Sequence, residues 1–350
     1  MLTTMETNKI KRCTYFIGVD ISKHELDLAV MQEEKLLFHR EITNRPESIM
    51  SFMAELKQLP RFTFTKAVFV MEHTGMYGNH LVRCLKKLKT NIVVEDAMQI
   101  KNSSGKIRGK YDKVDAIRIA EYAYRSRHNL RPHNGRRPVI QALAELNTVK
   151  NRLLRVLNIL KKPLKEQADF VKKGTVQRNL RSCRQSIAAL EQDLDAVEAT
   201  IRQTISGDTA LSRLMKIITS VYSVGPVTAL QVILSTNEFI NISDPKKFAS
   251  YAGVAPFHDS SGKIRRKAKV SPMANKKMKA LLHLCAMVAI CYESDLKRYY
   301  QRKTTVEGKN KMSVINAVRY KLILRIFACV RQDRCYESDY RRPAYGTAPA

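Results

Sequence analysis

The segment Thr14-Tyr-Phe-Ile-Gly-Val-Asp20 decides the fold of the first part of the chain. It is a run of β-forming residues that ends on an acid, and Lys66-Ala-Val-Phe-Val-Met-Glu72 has the same arrangement. Two further runs, Leu26–Met31 and Lys35–Ile42, follow the first at the short spacing of a β-meander, and Asn91–Glu95 gives a fifth strand. The sequence therefore predicts an α/β domain in which two strands end on a carboxylate.

Helices are predicted beside these strands, at about Pro46–Gln58, Asn79–Lys87 and Asp112–Tyr124. Three strands followed by helix, strand, helix, strand and helix is the order of a ribonuclease-H-like domain, which is one of several folds that this order allows. The middle of the chain is helical, and short helices follow from Leu211. The expected fold class is therefore α/β plus α, with a coiled-coil middle and a mainly α C-terminal domain.

Two helical runs form the predicted middle segment. The first ends at Pro163, because proline removes a helical hydrogen bond. The second has apolar residues at alternating steps of four and three, which is a heptad seam. These residues are Val176, Leu180, Cys183, Ile187, Leu190, Leu194, Val197 and Ile201. The seam closes either on the preceding helix as a hairpin or on another protomer, and the pattern alone leaves both open.

Charge indicates a polyanionic partner. The chain has 62 Lys and Arg against 32 Asp and Glu, a formal net charge of +30, and such an excess repels itself in a folded protein. Lys263–Lys279 holds eight basic residues and no acid in seventeen positions, and a lesser basic loop spans Lys101–Lys110. The candidate nucleic-acid-binding residues are Lys106, Arg108, Lys110, Lys263, Arg265, Arg266, Lys267, Lys269, Lys276 and Lys277.

Several classes of protein are excluded by composition. The longest uninterrupted apolar stretch near the C terminus, Leu284–Cys291, has 8 residues, whereas a bilayer needs about 20. Met1–Lys11 lacks the apolar core of a signal peptide. Seven cysteines, an odd number without a Cys-x-x-Cys pair, indicate reduced thiols and a cytoplasmic protein. No Walker A sequence is present, so ATP-driven activity is unsupported.

Four acids are the candidate catalytic and metal-ligating residues. Asp20 and Glu72 each end a predicted strand, and Asp112 and Asp115 lie three apart on one helix and so share a face. Carboxylates brought together repel, and a divalent cation is the usual remedy. Taken singly, each acid has an ordinary explanation, such as strand-end solvation or an N-cap at Asp112. Taken together with the strand order and the charge, they predict a site for Mg²⁺ or Mn²⁺.

At these acids the chain resembles a known family. Ile17-Gly-Val-Asp20-Ile-Ser-Lys, Met71-Glu72-His-Thr-Gly75 and Lys110-Tyr-Asp112-Lys-Val-Asp115-Ala look like the acidic motifs of insertion-sequence transposases with an N-terminal RuvC-like DEDD domain. This is the family of the Piv DNA invertase and the bridge-RNA-guided recombinases.

The later part of the chain resembles the C-terminal, serine-containing transposase domain of the same family. The matching segments are Phe248–Pro256, Asp259-Ser260-Ser261-Gly262-Lys and Lys269–Asn275. The resemblance implies that a serine is the nucleophile. Counting back from Asn275 favours Ser260, whereas Ser261 directly precedes Gly262 and is the alternative. From the residues alone, Asp-Ser-Ser-Gly would be an ordinary turn.

The resemblance also implies a domain order and a set of partners. We expect a basic arm at 1–12, the RuvC-like DEDD domain at 13–130, a linker and coiled-coil helices at 131–206, the transposase domain at 207–335 and a tail at 336–350. The implied partners are DNA, a guide RNA encoded beside the gene, Mg²⁺ or Mn²⁺, and further copies of the chain in a homodimer or tetramer. The implied location is the cytoplasm of a bacterium or archaeon, in association with the nucleoid.

Three functions compete at this point. The leading hypothesis is a DNA recombinase that cuts and rejoins strands through a phosphoserine intermediate. The second is a metal-dependent Holliday-junction resolvase or structure-selective nuclease, in which the four acids act and the serines are bystanders. The third is a non-catalytic nucleic-acid scaffold whose acids are structural.

Overall fold

The chain divides into two compact units, residues 1–135 and residues 136–350. The computed structural model describes residues 10–103, 112–257, 260–261, 264–265, 269–271 and 273–338. Within these ranges the description leaves out the side chains of residues 112, 167–169, 260, 261, 264, 265 and 269.

The first unit contains a five-stranded sheet in the order β3-β2-β1-β4-β5. All five predicted strands are present, as β1 (Tyr15–Ile21), β2 (Glu25–Gln32), β3 (Lys35–Thr43), β4 (Ala67–Glu72) and β5 (Asn91–Glu95). The first three strands are antiparallel neighbours, whereas β4 runs parallel to β1 and β5 parallel to β4. The helices of this unit are α1 (Pro46–Leu56), α2 (Asn79–Lys87), α3 (Ala97–Ser103) and α4 (Asp112–Arg125).

Strand β1 is apolar on both faces because both faces of the sheet are covered. Tyr15, Ile17 and Val19 pack in a core that contains side chains of α1 and α2. Phe16, between them, packs on the opposite face in a core that contains side chains of α4. Alternation of side chains along a strand explains how seven consecutive residues serve two cores.

Helix α4 lies directly on β1 at Gly18. A Cβ atom added at Gly18 would lie 2.2 Å from the carbonyl oxygen of Ala116 and 2.3 Å from the backbone nitrogen of Ala120. Ala116, Ala120 and Ala123 are fully buried, so small residues on both elements permit this close contact. Only glycine fits at position 18, and its place in β1 therefore fixes where α4 rests on the sheet.

The second unit is mainly helical and begins with a long antiparallel hairpin. Its helices are α5 (Pro138–Phe170), α6 (Lys173–Ser206), α7 (Thr209–Thr219), α8 (Pro226–Thr236), α9 (Pro245–Tyr251), α10 (Lys276–Tyr292), α11 (Ser294–Gln301) and α12 (Lys311–Arg331). Ion pairs between Lys150 and Glu198, at 2.7 Å, and between Lys161 and Glu191 link α5 to α6. These pairings run in opposite directions along the two helices, as an antiparallel hairpin requires.

The predicted heptad seam packs within the chain, which is the hairpin alternative. Val176 and Ile201 are buried near the two ends of α6, whereas Leu180 is exposed and the seam residues between them are mostly half-buried. The predicted end of the first helix at Pro163 is wrong, because α5 continues through this proline to Phe170. Contacts along α6 outweigh the one backbone hydrogen bond that proline removes.

One arginine helps to tie the hairpin to the rest of its unit. Arg137, just before α5, pairs with Asp208 at 2.7 Å and with Glu238 at 2.6 Å. Asp208 is also the N-cap of α7, where its side chain accepts a hydrogen bond from the backbone N–H of Leu211. Three segments distant in sequence therefore meet at one guanidinium.

Between α9 and α10, where the sequence showed a run of basic residues and a turn but no strand, the structure has two short antiparallel ladders. Strands β6 (Pro256–Phe257) and β9 (Lys269–Val270) form the first, and β7 (Ser260–Ser261) and β8 (Ile264–Arg265) form the second. Two-residue strands are too short to give a periodic pattern. Among the helices within the described ranges, none combines the length and apolar character needed to cross a membrane.

Helices α10 and α12 share a buried polar network. Arg319 is 5% exposed and donates to Oδ1 of Asn316 at 3.3 Å and to Nδ1 of His283 at 2.5 Å. Asn316 donates in turn to the carbonyl of Val254, which precedes the ladders. Since a guanidinium only donates, Nδ1 of His283 must be unprotonated. Burial, and secondarily the charge of Arg319, lower the pKa of His283.

We expect substitution of Gly18 by Ala to destabilise the first unit by about 3 kcal/mol or more, since the added methyl group meets backbone atoms that cannot move aside. The control is Gly174→Ala in α6, where an added Cβ meets nothing within 4 Å. Urea unfolding monitored by circular dichroism measures both variants. Equal stability of Gly18→Ala and the wild type would contradict the close packing.

We expect the stability of the second unit to fall as the pH drops below about 6.5. The pKa of His283 is lowered in the folded state, so the unfolded state takes up the proton first and is favoured by acid. The contribution of His283 to the stability is therefore complete above its unfolded-state pKa and is lost as the pH falls below that value. Melting temperatures between pH 8 and pH 5 should fall less steeply for His283→Asn than for the wild type or for the exposed control His80→Asn. Parallel curves for all three would refute the assignment.

Candidate active site

Asp20 and Glu72 lie side by side on one face of the sheet. Asp20 follows Gly18 by two residues, so both point to the face that α4 covers. Strands β1 and β4 are parallel neighbours with Val19 opposite Met71, which places the next residues of each strand, Asp20 and Glu72, at the same edge. The structure therefore brings together the two acids that the sequence placed at strand ends.

Helix α4 brings a third carboxylate to this face. Asp115 directly precedes Ala116, whose carbonyl rests against Gly18. Oδ1 of Asp115 lies 2.6 Å from a guanidinium nitrogen of Arg118. Asp112 is the first residue of α4, and its side chain lies outside the described part of the structure. Close packing at Gly18 is thus what delivers Asp115 to the sheet acids.

Electrostatics link these acids to one another. The pKa of Glu72 is raised, first by burial and then by the negative charges of Asp20, Asp115 and Asp96. Asp96 was not among the predicted site residues. It directly follows β5 and accepts a hydrogen bond from the backbone N–H of Met98. The signal that could have revealed it is the pattern already noted for β1 and β4, an acid where a buried strand ends.

The donor chemistry of this site suits a hard cation, since carboxylate oxygens are the ligands that Mg²⁺ and Mn²⁺ prefer. Within the described side chains, however, no group of three or more His, Cys, Asp and Glu residues is arranged to hold a metal ion. The observation that fits a cation is the placement of Asp20 and Glu72 at one edge of the sheet, because a bound positive charge would offset both the burial and the repulsion that raise the pKa of Glu72.

A second acid, Asp27, stands opposite Asp20 across the β1–β2 pair. It is 8% exposed, and its Oδ1 lies 2.7 Å from Nε2 of His39 on β3. Like charges directly opposite on neighbouring strands repel, so the hydrogen bond from His39 stabilises Asp27 in this position. This pair depends on strand register and therefore has no local signal in the sequence.

Asn44 connects the segments that follow the two acid-bearing strands. Its Nδ2 donates to the carbonyl of Ser22, at 3.1 Å, and to the carbonyl of Tyr77, at 3.0 Å. Ser22 comes two residues after Asp20, and Tyr77 comes five residues after Glu72. This one buried side chain therefore fixes the separation of the two segments.

The predicted nucleophiles lie in the second unit. Ser260 and Ser261 form β7, where they pair with Arg265 and Ile264, but their side chains are outside the description. Asn275, from which the serine position was counted, caps α10 by accepting from the N–H of Met278, and its Nδ2 donates to the hydroxyl of Tyr251. The choice between the two serines stays a prediction.

Most predicted nucleic-acid-binding residues fall outside the described residues or side chains. Those outside are Lys106, Arg108, Lys110, Lys263, Arg266 and Lys267, and only the backbone is described for Arg265 and Lys269. Lys276 is exposed at the start of α10. Lys277 donates to Oδ1 of Asn151 on α5 at 2.8 Å, and burial together with the charge of Lys150 lowers its pKa. Lys277 therefore also joins α10 to the hairpin.

Comparison with known protein families accounts for both units. Residues 17–171 match the DEDD transposase domain of IS110 elements, described as a transposase, and residues 215–301 match the transposase IS116/IS110/IS902 family. The chain belongs to the IS110 family of transposases. The acidic face of the first unit lies within the first match, and the ladder that contains Ser260 and Ser261 lies within the second.

Individual relatives agree with this assignment. The pilin gene-inverting protein of Moraxella bovis is 23% identical over 327 residues, which is 92% of this chain and 97% of the relative. The protein of the same name from Moraxella lacunata is 22% identical over the same shares. An uncharacterized 43.6 kDa protein of insertion element IS110 from Streptomyces coelicolor is 26% identical over 171 residues, 49% of this chain and 40% of the relative.

This IS110-family transposase is therefore a DNA recombinase, an enzyme that acts on DNA. DEDD transposase domains typically depend on divalent metal ions. Carboxylate oxygens such as those of Asp20, Glu72 and Asp115 have the donor chemistry that such ions prefer.

Burial of Glu72, together with repulsion from the neighbouring acids, predicts that Glu72→Gln stabilises the protein at neutral pH. Because the folded-state pKa of Glu72 is raised, its ionised form costs stability that is regained as the pH falls and the carboxyl group protonates. We expect Tm to rise by about 1 to 3 °C at pH 7.5, and the difference to shrink near pH 4. The exposed control is Glu41→Gln on β3. A melting temperature of Glu72→Gln at or below that of the wild type in metal-free buffer would contradict the repulsion.

Proposed function

We propose that this transposase cuts and rejoins DNA strands through a covalent serine–phosphodiester link, with Asp20, Glu72, Asp112 and Asp115 holding Mg²⁺ or Mn²⁺. The observation that carries the proposal is the electrostatic coupling of Glu72 to Asp20 and Asp115 on one sheet face. A structural role alone gives no reason to bring ionised carboxylates together where they repel.

The residues of the first unit have separate tasks in this proposal. Asp20 and Glu72 supply ligand oxygens from rigid neighbouring strands, and Asp115 is oriented by its ion pair with Arg118. Asn44 holds the segments beyond the two strands at a fixed separation. A divalent cation bound by these carboxylates would stabilise the negative charge that develops on phosphate oxygens. Positioning of this kind on regular elements is more precise than on loops.

The covalent step conserves phosphodiester bonds. The hydroxyl oxygen of Ser260, or of Ser261 in the alternative, attacks phosphorus, and the bond from phosphorus to a sugar oxygen breaks. The serine loses its proton, and the sugar oxygen leaves as a hydroxyl group. Rejoining is the reverse attack by a sugar hydroxyl from another strand, which releases the serine. No external energy source is needed, in keeping with the lack of a Walker A sequence.

Further features support the finer parts of the proposal. The strand order β3-β2-β1-β4-β5, with only the last two parallel to β1, supports a RuvC-like fold for the first unit. The net charge of +30 supports contact with phosphate backbones of DNA and of a guide RNA encoded beside the gene. A homodimer or tetramer would let several strands be handled at once. We place the protein in the bacterial or archaeal cytoplasm, at the nucleoid.

We expect Ser260→Ala to leave DNA binding intact and to abolish a covalent protein–DNA adduct. Ser261→Ala is the matched control. If Ser261 is the nucleophile, the results of the two variants are exchanged. The assay uses wild-type and variant proteins on labelled DNA that carries the complete element with its flanks. Retention of labelled strands by denatured protein measures the adduct.

Persistence of the adduct in both single variants and in the double variant would overturn the serine mechanism. Cleaved strands without any adduct in the wild type would instead favour the resolvase or nuclease function. We also expect Asp20→Asn and Glu72→Gln each to reduce recombination by about a hundredfold or more, since each removes a charge that acts on the transferred phosphoryl group. Full recombination by both would refute the role of the acidic site.

A further inference from the structure

The segment that follows Glu72 exposes two large side chains beside the acidic site. Met76 is 73% exposed and Tyr77 is 39% exposed, although both belong to a unit that buries most of its apolar residues. They follow Glu72 by four and five residues, at the edge of the sheet where β4 ends. Neither residue contributes to the three apolar cores of the described structure. These two exposed side chains are therefore placed to contact a molecule bound beside the acidic site.

The backbone under these two residues is held in place. Gly75 adopts φ +69, which favours glycine, and begins a single 3₁₀ turn that extends to Gly78. Gly78 is buried, and a Cβ there would lie 3.5 Å from Cδ1 of Ile21, so the turn rests on the end of β1. The turn then leads without a break into α2.

Asn44 anchors the same turn from the other side. Its hydrogen bond to the carbonyl of Tyr77 ties the turn to Ser22, and Asn44 itself is 8% exposed. The backbone of Tyr77 is therefore fixed while its side chain faces solvent. Pre-organised exposed aromatic side chains bind well, because little conformational freedom is lost on binding.

The enzyme class and the net charge of the chain favour nucleic acid as the partner. The enzyme acts on DNA and carries a net charge of +30. Exposed basic or imidazole side chains lie in the segments that Asn44 connects and next to them, together with the exposed acids Glu25 and Glu47; the basic and imidazole residues are Lys23, His24, Arg45, His73 and His80. With a phosphate at Glu72, an adjoining nucleotide would lie near the residues that follow Glu72, and its base would offer a flat face for stacking on tyrosine.

We propose that Met76 and Tyr77 form a stacking platform for a nucleobase next to the phosphate that is cut. Tyr77 stacks on the base, and the thioether chain of Met76 packs against its edge. The platform selects an unstacked or single-stranded base rather than a base sequence, since every base has a π face. This inference rests on the proposed role of Glu72 at the scissile phosphate.

Photo-crosslinking of the full-length protein tests the platform without any chemistry at phosphorus. The probe is a single-stranded thymidine oligonucleotide with one 5-iodouracil, irradiated with the protein in buffer that contains EDTA. We expect mass spectrometry to find the crosslink on the peptide that contains Met76 and Tyr77. A crosslink found only on other peptides would overturn the proposal.

Matched variants separate stacking from structural effects. We expect Tyr77→Ala to weaken binding of the same oligonucleotide about tenfold and to remove the crosslink, and Tyr77→Phe to keep both within about twofold, because phenylalanine stacks without the hydroxyl group. Met76→Ala should lose more affinity than Met76→Leu. Tyr292→Ala, at another exposed tyrosine in the second unit, is the control. Unchanged binding by Tyr77→Ala, or equal losses in Tyr77→Ala and Tyr77→Phe, would refute stacking.

Recombination by Asp20→Asn and Glu72→Gln distinguishes failure of this inference from failure of the proposed function. If both variants are inactive and the crosslink lies elsewhere, the acidic site stands and the platform fails. If both recombine normally, the acidic site fails, and the platform loses its place beside a scissile phosphate whatever the crosslink shows.

Discussion

The first unit depends on one close contact, between the backbone of α4 and the backbone of β1 at Gly18. With no side chain at this position, the helix rests on the strand with its Ala116 carbonyl and Ala120 nitrogen where a Cβ would otherwise be. Asp115 is adjacent to that contact on the helix, and Asp20 is two residues from it on the strand. The geometry of the acidic site is therefore set by packing rather than by attraction among its members, which repel.

The acids are brought together by apolar packing, whereas their charges oppose this arrangement. This division has a physical advantage. A site held together by its own ion would need that ion to fold. Here apolar burial on both faces of the sheet supplies the stability that opposes the repulsion at Glu72. Arg118 pairs with Asp115, and His39 forms a hydrogen bond with Asp27, so two of the neighbouring acids have partners of their own.

How much of this could be predicted from the sequence depended on the range of each interaction. Five strands and the placement of Asp20 and Glu72 followed from apolar runs that end on an acid, which is local information. The prediction that the first helix ends at Pro163 was wrong, because the packing of α5 on α6 outweighs the local preference against proline inside a helix. Asn44 could not be predicted, since its two acceptors lie 22 and 33 residues away and only the fold brings them together. Asp27 and His39 likewise depend on register across a strand pair that contains an irregularity.

The hairpin of α5 and α6 has a consequence for length. With 33 residues at about 1.5 Å each, α5 measures roughly 50 Å, which equals the rise of about fifteen base pairs of duplex DNA. The seam of the hairpin repeats every seven residues. During evolution the hairpin can therefore become longer or shorter only by one heptad in both helices at once, which is about 10 Å. An insertion in one helix alone would move Lys150 and Lys161 out of register with Glu198 and Glu191. The length of the hairpin can therefore change only by whole heptads.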